Sequence, residues 1–120
     1  MPINSKQKGN DFERKVSHMF QEYGYDAHRT AQFRGDTGQA ADVEGVPYIH
    51  IEAKNQERMY LYQWMAQAIR DSSKQGNGNV PVVIHKQNRK EVLVSMRFAD
   101  FMELYKAWAK EKDEELKEKK

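Results

Sequence analysis

Two acids and a lysine fall close together in the stretch Asp42-Val-Glu-Gly-Val-Pro-Tyr-Ile-His-Ile-Glu52-Ala-Lys54. Ile49, Ile51 and Ala53 alternate with Tyr48, His50, Glu52 and Lys54. Period-two alternation predicts a strand with one apolar face and one face that carries chemistry. Glu52 and Lys54 then point the same way, about 7 Å apart along the strand. Gly45 and Pro47 predict a turn that folds Asp42 back towards Glu52. Two converging carboxylates repel each other unless a cation stands between them. Oxygen ligands of this kind suit Mg²⁺, which keeps several waters and also takes phosphate oxygens. A lysine beside such an ion can position an attacking water or neutralise charge developing on phosphate. Metal-assisted phosphodiester hydrolysis is the reaction these parts would serve. The same residues would also make an ordinary hairpin with a solvated Glu–Lys pair, so the rest of the chain has to decide.

The elements that must position this trio follow from periodicity. Asn10 predicts a helix start, with Glu13 completing a capping-box pattern. Phe12, Val16, Met19, Phe20 and Tyr23 make its apolar stripe, and Gly24 stops it. Glu13 lies about 100° around from Phe12, at the border of the buried face. Two roles are open to it there, the cap or an acid looking into the site. Residues 25–31 read as a short strand, and 32–39 as a Gly-rich polar loop that carries Arg34 and leads to Asp42. A second helix is predicted over 60–73, with Leu61, Trp64, Met65, Ala68 and Ile69 as its apolar stripe. Gln63, Gln67 and Arg70 form a separate polar row, either a solvated face or the rim of the acidic site.

A buried strand over 80–85 follows, then a basic turn over 86–90 and a returning strand over 91–96. The turn is either solvated or a phosphate contact. Phe98, Phe101, Met102, Tyr105 and Trp108 mark a third amphipathic helix. From Lys110 a tail with five lysines and five acids cancels in charge and reads as a helical extension fraying into solvent. The expected organisation is one domain over 1–109 and a charged helical tail over 110–120, in an α/β class with a mixed sheet flanked by helices.

Composition narrows the field. At 120 residues, the chain can build one core but not two. There is no run of 18 apolar residues and no signal-peptide pattern, so a membrane or secreted chain is not expected. The absence of cysteine excludes disulfides, zinc–thiolate sites and cysteine catalysis, and is compatible with a reducing cytoplasm. A net charge of +2 is too small to announce a polyanion partner, so the distribution of charge matters more.

Helix acid, strand, loop and Asp, then Glu-x-Lys, then helix and strand is an order that resembles the PD-(D/E)xK nuclease superfamily. The chain is most similar to the archaeal-type Holliday junction resolvases and their phage-encoded relatives. Gly9-Asn-Asp-Phe-Glu13-Arg-Lys, Arg29-Thr30-Ala31, Ala41-Asp42-Val43 and Ile51-Glu52-Ala53-Lys54 carry the likeness, over roughly residues 8–85. The resemblance implies a restriction-endonuclease-like core of αβββαβ order, extended by a hairpin strand and a C-terminal helix. It implies that Asp42, Glu52 and the Ala53 carbonyl ligate Mg²⁺, with Mn²⁺ as a substitute. Lys54 would orient the attacking water, Glu13 would act through metal-bound water, and Gln63, or Gln67, would be the site glutamine. Lys8, Arg14, Arg29, Thr30 and Arg34 are the expected DNA-contacting residues. Ala41 stands where the motif's name has proline, which costs turn stiffness but no ligand. Thr30 or Thr37 would take the place of a serine found in some resolvases.

The expectation is therefore a Mg²⁺-dependent endodeoxyribonuclease, a homodimeric Holliday junction resolvase of DNA recombination and repair. It would work in the cytoplasm, the host's if the chain is phage-encoded, on four-way junctions and away from membranes. One alternative is a nickase or a flap or end nuclease of the virus-type replication-repair branch. Another is a catalytically silent DNA-binding module, against which an intact Asp42, Glu52 and Lys54 argue.

Overall fold

A computed structural model describes residues 5–30 and 40–119. The elements run α1 (Ser5–Glu22), β1 (His28–Arg29), β2 (Val43–Glu44), β3 (Ile49–Asn55), α2 (Leu61–Gln75), β4 (Val80–Lys86), β5 (Leu93–Met96) and α3 (Phe98–Glu118), the order read from the sequence. Among the described residues five strands form one sheet in the order β1-β2-β3-β4-β5. β3 and β4 are parallel, in register from Ile49↔Val80 to Asn55↔Lys86, and the other neighbours are antiparallel. Parallel neighbours need a crossover, and α2 supplies it. The result is the expected mixed sheet with helices around it.

Each face of the sheet has its own core. Val43, Ile51, Ala53, Val82 and Ile84 pack with Ala27 against Phe12 and Val16 of α1. On the other face, Val83 packs against Trp64 and Ala68 of α2. The register sets Glu52 beside Val83, so the face expected to carry chemistry lies under α2. A parallel βαβ crossover lays its helix on the sheet, and this buries His50 and Glu52 along with their apolar neighbours.

α1 also differs from expectation. It is already helical at Ser5, upstream of Asn10: Lys6, Gln7 and Lys8 are good helix formers, and Gly9 costs the run only about 1 kcal/mol. Asn10 is therefore inside the helix, and the Asn10–Glu13 capping box does not form. The described part of the strand expected over 25–31 is only His28–Arg29. The β2–β3 turn is more constrained than its composition implied. At Gly45, φ is +94°, and a Cβ there would sit 2.0 Å from the Asp26 carbonyl oxygen. Only glycine lets the hairpin lie this close to the segment that leads into β1.

α3 runs unbroken past residue 110 and contributes no buried residue. No described helix is long and apolar enough to cross a membrane.

Candidate active site

Asp42 is held by the backbone around it. Its N–H donates to the Ile51 carbonyl at 2.8 Å, and its own carbonyl accepts from the Thr30 N–H at 3.1 Å. Its Oδ2 accepts the Ala53 N–H at 2.9 Å. The Thr30 hydroxyl donates to the Ala41 carbonyl, tying the end of β1 to the residue before Asp42. The hairpin thus joins the carboxylate of Asp42 to the residue between Glu52 and Lys54. A strand residue presents its N–H and C=O on the same edge, so the Ala53 carbonyl also lies on the Asp42 side.

Glu52 is 1% exposed. His50, two residues earlier on the same face, lies with Nε2 3.1 Å from Glu52 Oε1 and is itself buried. Glu13 reaches the site from α1. Arg29 Nε donates to its Oε1 at 3.2 Å, while Arg29 Nη2 donates to Asn10 Oδ1 at 3.0 Å. Lys54 stands half-buried at the mouth.

Crowding these acids has an electrostatic cost. Burial, then the charge of Glu52, pushes Asp42 up to about 8 from an ordinary 3.8, against the lowering hydrogen bond from Ala53. Burial raises Glu13 as well, opposed by the hydrogen bond and charge of Arg29. A carboxylate that cannot ionise cheaply without a partner marks a place where a cation would be stabilised. Among the described residues no cluster of three or more His, Asp or Glu side chains could hold a metal by itself. The donor set that fits is smaller: the Asp42 and Glu52 carboxylates and the Ala53 carbonyl, with water and phosphate oxygens to complete the shell.

A cleft of about 640 Å³ opens over this point, lined by Glu13, Asp42, Glu52, Ala53 and Lys54 together with Lys8, Tyr60 and Gln67. Of the two candidate glutamines, Gln67 lines the cleft, whereas Gln63 is exposed on the outer side of α2 and lies outside the lining. Helical periodicity set both in one row, but of the two only Gln67 lines the cleft. Lys8 borders the cleft. Arg29 is engaged with Glu13 and Asn10, and Arg14 is exposed and paired with Asp11 at 3.1 Å. Arg34 and Thr37 lie outside the described residues.

The lining residues Asn55, Gln56, Glu57, Arg58 and Tyr60 were not anticipated. They lie at or just after the C-terminal end of parallel β3, the end at which ligands settle in sheets with βα crossovers, and that rule could have found them. Asn55 Oδ1 is buried without a partner among the described residues. His50 shares the face of Glu52, as the alternation predicts. An adjoining groove of about 380 Å³ is lined by Lys8, Lys15 and Lys86 together with Gln7, Asp11, Phe12 and Asn55.

The fold is that of a solved resolvase. The structure of Archaeoglobus fulgidus Hjc, a Holliday junction resolvase from an archaeal hyperthermophile, is similar with a TM-score of 0.55 at 19% identity. The match covers 73% of this chain and 76% of that one. No curated protein sequence matches the chain. The phage PDDEXK endonuclease family matches residues 4–119, nearly the whole length. The chain belongs to that family, and with it to the PD-(D/E)xK nucleases.

Proposed function

We propose that the protein is a Mg²⁺-dependent endonuclease that hydrolyses phosphodiesters in branched DNA, acting as a homodimeric resolvase on four-way junctions. The observation that carries the reading is the convergence of Asp42, Glu52, Glu13 and Lys54 on one cleft, with Asp42 driven to about 8 by burial and by Glu52. Asp42, Glu52 and the Ala53 carbonyl would hold Mg²⁺, and Mn²⁺ would take the same donors. When bound, the ion supplies Lewis acidity to the scissile phosphate and lowers the pKa of a bound water.

The chain's own groups do the rest. Lys54 orients the attacking water and offsets charge as it develops on phosphate. Arg29 fixes the carboxylate of Glu13 at the rim, and His50 fixes that of Glu52. Lys8, shared by the cleft and the adjoining groove, leads with Lys15 and Lys86 to a second basic track on which a phosphate backbone can lie. One site per chain and two strands to cut favour a dimer. Similarity to an archaeal Holliday junction resolvase at the level of fold favours a branched substrate.

The test is cleavage of an end-labelled four-way junction in Mg²⁺, beside a flap, a nicked duplex and a linear duplex. Paired cuts in the junction, absent in Asp42→Asn and Lys54→Ala, are expected. Equal cutting by the variants, or no cleavage of any branched DNA by the parent, refutes the enzyme reading. Single cuts on flaps or ends alone would move the protein to the replication-repair branch.

A further inference from the structure

α3 is an amphipathic helix that buries no residue against the other described elements. Phe98, Phe101, Tyr105 and Trp108 recur at intervals of three, four and three, the a/d spacing of a helix that pairs with another helix. Their rings form a line, with successive centroids 6.5, 6.1 and 5.9 Å apart, and Lys112 Nζ caps it 5.8 Å above Trp108. The four side chains are 76, 46, 45 and 55% exposed. Neither core cluster includes an α3 residue, so the body is complete without it. β5 is an edge strand, joined to α3 through Arg97 alone, and its Leu93 and Val94 are both exposed. An apolar edge strand left open invites pairing, and folded proteins cover such edges.

We propose that this aromatic seam, with the outer edge of β5, is the surface on which two copies of the chain pair. The inference rests on the dimeric reading above and locates the interface. The area is adequate. At ~150–250 Å² per aromatic side chain, the exposed parts of the rings with Leu93, Val94 and Leu104 come to roughly 600 Å² per chain. Two copies would bury about 1,200 Å², the lower bound of specific, stable interfaces. A patch of ~600 Å² on one chain is at the upper limit for an unpartnered monomer. A second copy is the occupant because the patch is self-complementary. The four seam positions carry no charge, so rings meet rings across a two-fold axis and no like charges oppose.

The test is mass in solution by light scattering across the micromolar range. The parent, a chain of 14.1 kDa, should run at twice that mass. The double variant Phe101→Glu with Trp108→Glu should run as a monomer with its far-ultraviolet circular dichroism retained. A parent that stays at 14.1 kDa, or a double variant that stays dimeric, overturns the assignment. The function reading is read separately. A parent dimer that cuts no DNA leaves the seam standing and removes the nuclease. A monomeric variant that still makes single cuts but loses paired ones supports both.

Discussion

The electrostatic tension at Asp42 should be measurable as a loss of stability with rising pH when no metal is present. The folded chain keeps a proton on Asp42 up to about 8, whereas the unfolded chain releases it near 3.8. Over that window the native state binds the extra proton, so stability is full below pH 4 and is lost as pH climbs towards 8. At about 1.4 kcal/mol per pH unit, moving from pH 5 to pH 8 costs roughly 4 kcal/mol. For a domain of this size that lowers the melting temperature by ~15 °C. Glu13, raised for the same reason, adds in the same direction. His85, lowered by burial, acts oppositely, losing stability as pH falls below 6.5.

Asp42→Asn isolates the effect. The amide keeps an oxygen to accept the Ala53 N–H and loses the charge, so His85 contributes equally to both proteins. The assay is thermal denaturation in chelator from pH 5 to pH 8. The parent should fall steeply, the variant should stay nearly level, and at pH 8 the variant should be the more stable protein. Adding Mg²⁺ at pH 8 should restore the parent and leave the variant unmoved, because binding to the folded state stabilises it and needs the ionised carboxylate. A flat parent profile, or a parallel fall in Asp42→Asn, would refute the claim that buried acids are crowded here.

Other perturbations follow from the same geometry. Lys54→Ala should lower the rate of cleavage by about 10²–10³-fold with little change in melting temperature, as single-turnover kinetics would register. His50→Ala should weaken Mn²⁺ binding by roughly 10–100-fold in calorimetry, because Glu52 loses its fixed partner, while His50→Gln should recover part of it. Gln67→Ala should slow cleavage about tenfold and Gln63→Ala less than ~2-fold, since only the first reaches the cleft; the reverse ranking would move the glutamine role back to the outer face. Gly45→Ala should cost about 2–4 kcal/mol in chemical denaturation, since a methyl group there meets the Asp26 carbonyl at a φ that side chains rarely adopt.

The order of elements was legible because each carries a strong local signal. Leu61, Trp64, Met65 and Ala68 repeat with the helix, and residues 48–54 alternate with the strand. The first helix was legible in type but not in its start. Asn10 has the chemistry of a cap, yet it spends its side-chain oxygen on Arg29, a residue nineteen positions away. Local preference cannot see such a partner, and it lost to a longer helix whose extra turn costs little.

The site shows the same division between what periodicity carries and what only tertiary structure decides. Alternation put His50, Glu52 and Lys54 on one face, and it could not say that the face would be covered. That depends on the handed crossover between β3 and β4, which lays α2 over Val83 and thereby over Glu52. The covering helix gives the acids their chemistry. In an open hairpin water would screen Asp42 from Glu52, and Asp42 would ionise near its ordinary value. Under α2 the pair is dry enough that Asp42 holds its proton to about 8. The same burial that makes the hairpin costly to charge therefore makes it a site for a cation. It follows that substitutions at the contact between α2 and the sheet, such as Ala68→Gly, should weaken metal binding without touching a ligand.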